Sequence, residues 1–501
     1  MLCSSLAFPA YASSDTSAMR KVPAFASGYS SDYDNSETKS FNSKTYYSNG
    51  IQLYKTIRNN LEKRNNYFTI HYLSESKLRT AKTVLDIVER LFLLASGDEI
   101  SQSTTDGDYI RWAISDYGFD SLYIDKSDSD YYYYTINLKF EYYDTAAQEA
   151  QVDAVVKSFV SGVDTDSMTD YEIIKRIHDF ICSKTTYDSL AAFNYRNRGY
   201  AMTAYGALVK GKCICQGYSV AFYRLCKELG YNARFVSSSL NEGRHAWNIV
   251  QLDGKYYYVD LTWDDELGEA DSADKYNFFL VDYNTLRSED SSSKEHTLYD
   301  KFYNTDYFRR NYRNLIDENN YNASNKNLLS QSIISLSQKS YVYSGKPVFP
   351  EVVSNCPGYP QNYSLKYSDN IYAGKARVDI CSADGSVIMS HRIFEIAPNG
   401  KKPSAPSKPV ISSLSSKSKS VKVKWKRIKC SGYQIQYSAD KSMNGAKSVN
   451  AKASSVIKTV TSLKKGKRYY IRIRAYKNDN TSGKNTKVYS KWSAKKSIIC
   501  K

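Results

Sequence analysis

The sequence predicts an α+β fold, a helix packed on an antiparallel sheet, extended by a further α+β segment before it and by two β-sandwich modules after it. Three observations carry this. Apolar residues at helical spacing near residue 220 give way to alternating strand segments up to about 262; beyond about 330 the apolar runs become short and alternate; and the charge balance changes abruptly at 401. A chain of 501 residues exceeds one hydrophobic core, so several modules are expected.

At the start, Ala10-Tyr11-Ala12 is a small-residue cleavage pattern after an apolar stretch, so residues 1–12 resemble the end of a secretory signal and the protein is expected to be secreted or held at a cell surface. Residues 13–45, rich in Ser, Asp, Asn, Tyr and Lys, are expected to be a disordered leader. From 46 to 165 a helical pattern over Thr80–Leu94 and an alternating one over Tyr131–Tyr142 predict an α+β extension. Tyrosine is abundant, 47 against 18 Phe, and its runs read as half-buried strand, with carbohydrate binding the less favoured alternative.

Over 166–325 the central domain is expected. Ile173, Ile174, Ile177, Phe180 and Ile181 lie at helical spacing, and a second helix runs from Cys215 to Leu229, closed by Gly230. Strands are expected at Ala233–Ser238, Ala246–Leu252 and Lys255–Thr262, the last two joined by the hairpin pair Asp253-Gly254, with a polar helical stretch to about 325.

Short alternating segments then predict a β module over 330–400. Its wording Tyr341-Val342-Tyr343-Ser344-Gly345-Lys346-Pro347 and Ile371-Tyr372-Ala373-Gly374-Lys375 resembles an immunoglobulin-like repeat of bacterial surface proteins. After the prolines at 403, 406 and 409, strict alternation in Val421–Trp425, Tyr433–Tyr437 and Tyr470–Tyr476 predicts a second sandwich. Trp425, Leu463, the Tyr-x-Ile-x-Arg-Ala strand and Tyr489-Ser490-Lys491-Trp492-Ser493 resemble a fibronectin type III domain over 405–498. Residues 401–501 hold 27 Lys and Arg against two acidic residues, Asp440 and Asp479, while the rest of the chain is net acidic. Such a surface suits an anionic cell-wall polymer; nucleic acid is not expected, since no base-reading motif accompanies the lysines. No apolar run has the length of a membrane helix.

The chemistry concentrates in the central domain. A helix N-terminus stabilises a thiolate, and Cys215 opens its helix; Cys226 falls on the buried stripe of the same helix, and Cys213 is open between loop packing and a disulfide. With Asp253-Gly254 as a two-residue turn, Leu252 faces Lys255, Trp247 faces Asp260 and His245 faces Thr262. His245 and Asp260 then share one sheet face as diagonal neighbours, about 7–8 Å apart in backbone. An imidazole between a thiol and a carboxylate accepts the thiol proton while the carboxylate orients the ring, so Cys215, His245 and Asp260 are the candidate catalytic residues. The N–H of Cys215 is one expected oxyanion donor, with Gln216 or Tyr205 as candidates for the second. Asp264 and Asp265 are expected to be solvated, His178 to lie at the surface or boundary, and His71, His296 and His391 to be without a partner pattern. No metal and no cofactor are implied, and the nine cysteines contain no CxxC pair.

The blocks Tyr205-Gly206-Ala207-Leu208-Val209-Lys210-Gly211-Lys212-Cys213-Ile214-Cys215-Gln216-Gly217-Tyr218-Ser219, His245-Ala246-Trp247-Asn248 and Val259-Asp260-Leu261-Thr262-Trp263-Asp264-Asp265 resemble, in order, those of the transglutaminase-like superfamily. The resemblance, strong over 165–265, implies a papain-like core and the roles of nucleophile for Cys215, base for His245 and orienting acid for Asp260. It implies acyl transfer on peptide or protein amides, by hydrolysis, deamidation or cross-linking. The alternative is a surface-binding protein whose transglutaminase-like domain is catalytically quiet and whose β modules do the work.

Overall fold

The computed structural model describes residues 38–41, 44–47, 50–75, 84, 88, 92, 108–127, 130–194, 199–238, 245–267, 273–288, 296–298, 306–443, 446–483 and 486–501. The expected signal segment 1–12, most of the 13–45 leader and the Thr80–Leu94 helix apart from Val84, Val88 and Phe92 lie outside the described residues. Those three, spaced by four, are helical and buried.

The N-terminal part is a five-stranded sheet in the order Thr38–Phe41, Lys44–Tyr47, Tyr67–Glu75, Tyr131–Tyr142, Ile114–Ser127, with the Gly50–Glu62 helix packed on it through Leu53, Ile57 and Leu61. Within the tyrosine run, Tyr134 joins that core while Tyr133 is buried in a second cluster with Tyr46 and Leu73. Adjacent strand side chains point to opposite faces, so both faces of the sheet carry buried rings here. These rings serve packing.

The central domain is built on a four-stranded antiparallel sheet in the order Phe279–Val281, Lys255–Val259, Ala246–Leu252, Ala233–Ser237. The Cys215–Glu228 helix packs on it, and the Asp170–Lys184 helix packs on that helix in turn. Thr169 and Glu172 close a capping box at the start of the second helix, satisfying two otherwise orphaned N–H groups. The Ala146–Ser161 helix, placed by the sequence in the N-terminal extension, buries Val152, Val156 and Phe159 in the same cluster as Ile173, Ile177, Phe222 and Leu225.

The hairpin has the expected register, Lys255 opposite Leu252 through Val259 opposite Asn248, and its turn residues Asp253 and Gly254 both have positive φ, 47° and 77°. The strand expected to run to Thr262 stops at Val259, and Leu261–Leu267 is a helix. The reason is local: Oδ1 of Asp260 accepts the N–H groups of Thr262 (3.0 Å) and Trp263 (3.3 Å), the contacts of an N-cap. The stretch expected to be helical up to 325 also supplies a strand, Phe279–Val281, to the sheet edge.

Two β modules follow. In the first, Ser340–Val342, Ile388–Ala397, Gly374–Ser382 and Tyr363–Ser368 form one sheet in that order, facing the pair Ile334–Leu336 and Val352–Ser354 across a core that includes Ile334, Val378, Ile380 and Phe394. It is fastened to the central domain by Arg392 on Asp170 (2.8 Å) and by His391 on the Leu229 carbonyl (2.8 Å). In the second, a three-stranded and a five-stranded sheet enclose Trp425, Tyr433, Ile435, Leu463 and Ile473, with Lys496–Ile499 among the five strands. Val421, Val423 and Trp425 are buried while Lys422 and Lys424 between them are exposed, the alternation the sequence predicts. Among the described residues no helix is long and apolar enough to cross a membrane.

Candidate active site

Ile214 is extended, with φ −105° and ψ 179°, and the chain turns helical at Cys215. Its carbonyl accepts the N–H groups of Gly217 (2.8 Å) and Tyr218 (3.2 Å), so the thiol stands on the first turn, where free N–H groups and the helix dipole favour a negative charge. Gly217 is required by close approach: a Cβ there would lie 2.5 Å from Cys213 Cβ and 2.7 Å from the Ala201 carbonyl. This glycine lets the helix start press against the Lys212–Cys213 strand. Asn248 then ties helix to sheet, its amide donating to the carbonyls of Ser219 and Arg234 at 3.1 Å each.

His245 lies at the edge of the Ala246–Leu252 strand, its N–H donating to Ser238 Oγ at 2.8 Å. Its Nε2 meets Oδ2 of Asp260 at 2.5 Å, and the Cys215 thiol lies close enough to its ring to influence its titration. With Nε2 taken by the carboxylate, Nδ1 is the nitrogen left for the thiol. Burial disfavours the imidazolium, but the charge and hydrogen bond of Asp260, then Cys215, outweigh it and hold the His245 pKa well above its ordinary value. Burial also opposes ionisation of Asp260, yet its bonds with His245 and His296 keep the carboxyl well below the usual range. The second histidine, His296, is wholly buried with Nε2 2.8 Å from the same Oδ2. The site is therefore a thiol beside an imidazole that is hydrogen-bonded to a carboxylate, with a further imidazole bonded to that carboxylate.

Residues 157–261 match the model of the transglutaminase-like superfamily, and residues 404–491 that of the fibronectin type III domain. The chain carries a transglutaminase-like core. Kyphoscoliosis peptidase of Mus musculus is 28% identical over 156 residues, 29% of this chain and 23% of that protein. The protein of the same name from Homo sapiens is 27% identical over 157 residues, with the same coverage of 29% and 23%. The chain thus spans about a quarter of the length of these relatives. Among solved structures, one described as a TGase is 16% identical, covering 41% of this chain and 57% of that one with a TM-score of 0.22. The fibronectin type III domain of human contactin 1 is 22% identical, covering 21% and 82% with a TM-score of 0.16.

The transglutaminase-like core brings Cys215, His245 and Asp260 together, and the structure corrects several other readings. His296, for which the sequence offers no partner pattern, is bonded to Asp260; it comes from a segment 36 residues downstream, beyond the reach of any periodicity. His178, expected at the surface or boundary, is wholly buried between Asp264 (3.0 Å) and Asp179 (3.2 Å). Asp264, expected to be solvated, is fully buried, and Asp265 accepts the Tyr218 hydroxyl. Gln216 spends its amide N–H groups on the carbonyls of Trp112 (2.9 Å) and Met202 (3.1 Å), so it does not supply the second oxyanion donor. Tyr205 is buried, edge-on to Tyr200. His71 meets Thr135 Oγ1 at 3.0 Å. Cys213 and Cys226 are fully buried thiols, and burial pushes both well above the ordinary cysteine value, which leaves them protonated and inert. By residue type His245, Asp260 and His296 form a set able to hold a metal, but both Nε2 atoms and Oδ2 are engaged with one another.

Proposed function

We propose that the transglutaminase-like core is a cysteine acyl-transfer enzyme acting on peptide or protein amides, with Cys215 as nucleophile, His245 as general base and acid, and Asp260 as the group that orients His245. The observation that supports this most directly is the His245–Asp260 hydrogen bond beside a Cys215 thiol that stands on a helix N-terminus. Sγ gives its proton to Nδ1 of His245 and attacks the carbonyl carbon; the C–N bond breaks as the leaving amine takes that proton back, and an acyl-cysteine remains. Water or a second amine then attacks the acyl carbon, His245 accepts its proton, and the C–S bond breaks to restore the thiol. The N–H of Cys215, at the first helical position, is the proposed oxyanion donor. Between the two acceptors we favour water, hence a protease or amidase.

The test combines labelling and products. Cys215 should react with iodoacetamide below neutral pH, faster than Cys182 or Cys226, and lose this reactivity in His245→Ala. Incubation of wild type and Cys215→Ala with cell-wall peptides and proteins, read by mass spectrometry, separates cleavage or deamidation from loss of one ammonia on amine linkage. Equal, slow labelling of all the thiols would remove the enzyme reading.

A second reading concerns the basic module. We propose that residues 401–501 hold the protein on an anionic cell-wall polymer, a reading favoured by 27 Lys and Arg against two acidic residues and by the outward Lys422 and Lys424. Retention of the full chain on cell walls should fall steeply as salt screens the lysines. Salt-independent retention, or none, would leave the module a spacer.

A further inference from the structure

We propose that His296 is a positioning residue of this site, one whose imidazole holds the Asp260 carboxylate in the orientation that keeps His245 turned toward Cys215. The inference rests on the acyl-transfer reading and extends it to a residue that none of the three sequence blocks contains.

Asp260 is wholly buried and its two oxygens are used differently. Oδ1 accepts the N–H groups of Thr262 and Trp263, while Oδ2 accepts Nε2 of His245 at 2.5 Å and Nε2 of His296 at 2.8 Å. An ionised carboxylate offers about four acceptor positions, so these four donors saturate it. Saturation fixes rotation: the group cannot turn about its Cβ–Cγ bond without leaving a buried donor unpaired. Without His296, Oδ1 would still be held by the helix start, but Oδ2 would have a single donor and room to move.

The fold places His296 by more than this one bond. Leu298 forms a bridge with Ser238, whose N–H donates to the His245 carbonyl (3.0 Å) and whose Oγ accepts the His245 N–H (2.8 Å). The His296 ring is packed against Trp247, Trp263 and Phe278, with ring centroids at 5.2, 4.8 and 6.1 Å, and meets His245 edge-on at 5.2 Å. The histidine thus lies two residues from a bridge to the same serine that bonds the His245 backbone. Its Nε2 proton stays on His296 throughout; the proton that moves passes between Sγ of Cys215 and Nδ1 of His245.

The titratable groups that meet His245 are Cys215 from its helix, Asp260 after the hairpin and His296 from the downstream segment. Loss of the His296 donor should loosen Asp260, hence His245, and so weaken the support of the Cys215 thiolate. The experiment is the pH dependence of Cys215 alkylation by iodoacetamide in the full chain, for wild type, His296→Met, which fills the space without a donor, and His296→Gln, which returns an amide N–H. His296→Met should slow Cys215 alkylation roughly tenfold in the acid half of the pH series. His296→Gln should restore most of it. A His296→Met curve superimposed on the wild type, or Met and Gln variants displaced alike, would overturn the proposal. If the Met variant does not fold, a Gln variant as displaced as His245→Ala does the same. Loss of low-pH labelling in wild type on treatment with a chelator would make the three residues a metal site and overturn it too. Wild-type thiols that never label at low pH would remove the acyl-transfer reading itself, and this inference with it.

Discussion

Nε2 of His178 lies 3.0 Å from Oδ2 of Asp264, and both side chains are wholly inaccessible to solvent. The contact joins the Asp170–Lys184 helix to the Leu261–Leu267 helix, whose cap is Asp260, one turn before Asp264. Oδ1 of Asp264 also accepts the Phe278 N–H at 2.8 Å, so the pair fixes the short helix that Asp260 caps.

Breaking this pair on one side leaves a buried, uncompensated charge. His178→Gln should lower stability by about 3–5 kcal/mol at neutral pH, and adding Asp264→Asn should recover most of the loss. Burial opposes the imidazolium of His178, but its bonds with Asp179 and Asp264 outweigh it and raise its pKa; burial pushes Asp264 up to about 6. Both groups bind protons more tightly folded than unfolded, so their contribution is full below the unfolded values and fades as pH rises through the folded ones. Thermal unfolding should show the wild type's advantage over the double variant to be larger at acid than at alkaline pH. A constant gap would contradict the pairing.

Glu149 presents the same sign in a destabilising form. Its Oε2 accepts the Tyr109 hydroxyl at 2.8 Å, but its buried Oε1 has no partner among the described residues, and burial, only partly offset by Arg64, pushes its pKa up to about 7. Its stabilising proton is kept below the unfolded value near 4.5 and lost as pH rises toward 7. Glu149→Gln, which keeps an acceptor for Tyr109, should stabilise the protein at pH near 8 by up to about 3 kcal/mol and give no gain near pH 4. Denaturant unfolding at the two pH values measures this.

Gly217→Ala tests the seating of Cys215. The added Cβ would collide with Cys213 and the Ala201 carbonyl, so the helix start must move off the Lys212–Cys213 strand. A destabilisation of about 1–3 kcal/mol is expected, together with slower alkylation of Cys215 at low pH. Unchanged labelling would mean that the helix start tolerates the shift.

Arg392→Met probes the fastening of the first β module. Asp170 sits in the first turn of its helix, bonded to Arg392 (2.8 Å) and to the Tyr231 hydroxyl (2.9 Å), all buried. Removing the guanidinium leaves the carboxylate without its cation, at a cost of about 3–5 kcal/mol. Calorimetry should show the module and central domain unfolding in separated steps, against a joined transition in the wild type.

How much of this was legible in the sequence follows from the range of each interaction. The Cys215 helix rests on a periodic stripe, and the partnership of His245 with Asp260 rests on a two-residue turn only a few positions away. The sequence continues the hairpin strand through Asp260, although Asp264 and Asp265 follow as acidic residues early in a helix that an N-cap aspartate begins. The strand-forming run Tyr256-Tyr257-Tyr258-Val259 before it masks that signal. His296, 36 residues from Asp260, and His178, 86 from Asp264, left no such trace, because their partners lie on other elements.

The sequence by itself determined the three blocks, the hairpin register, the alternating sandwiches and the concentration of positive charge after residue 400. These are local properties, set by turn chemistry, side-chain period and composition. Only the tertiary structure decided which buried charges compensate one another: two imidazoles on one carboxylate, His178 on Asp264, Arg392 on Asp170. A buried charge is tolerated only beside a partner in three dimensions, and that partner is chosen by packing rather than by spacing along the chain.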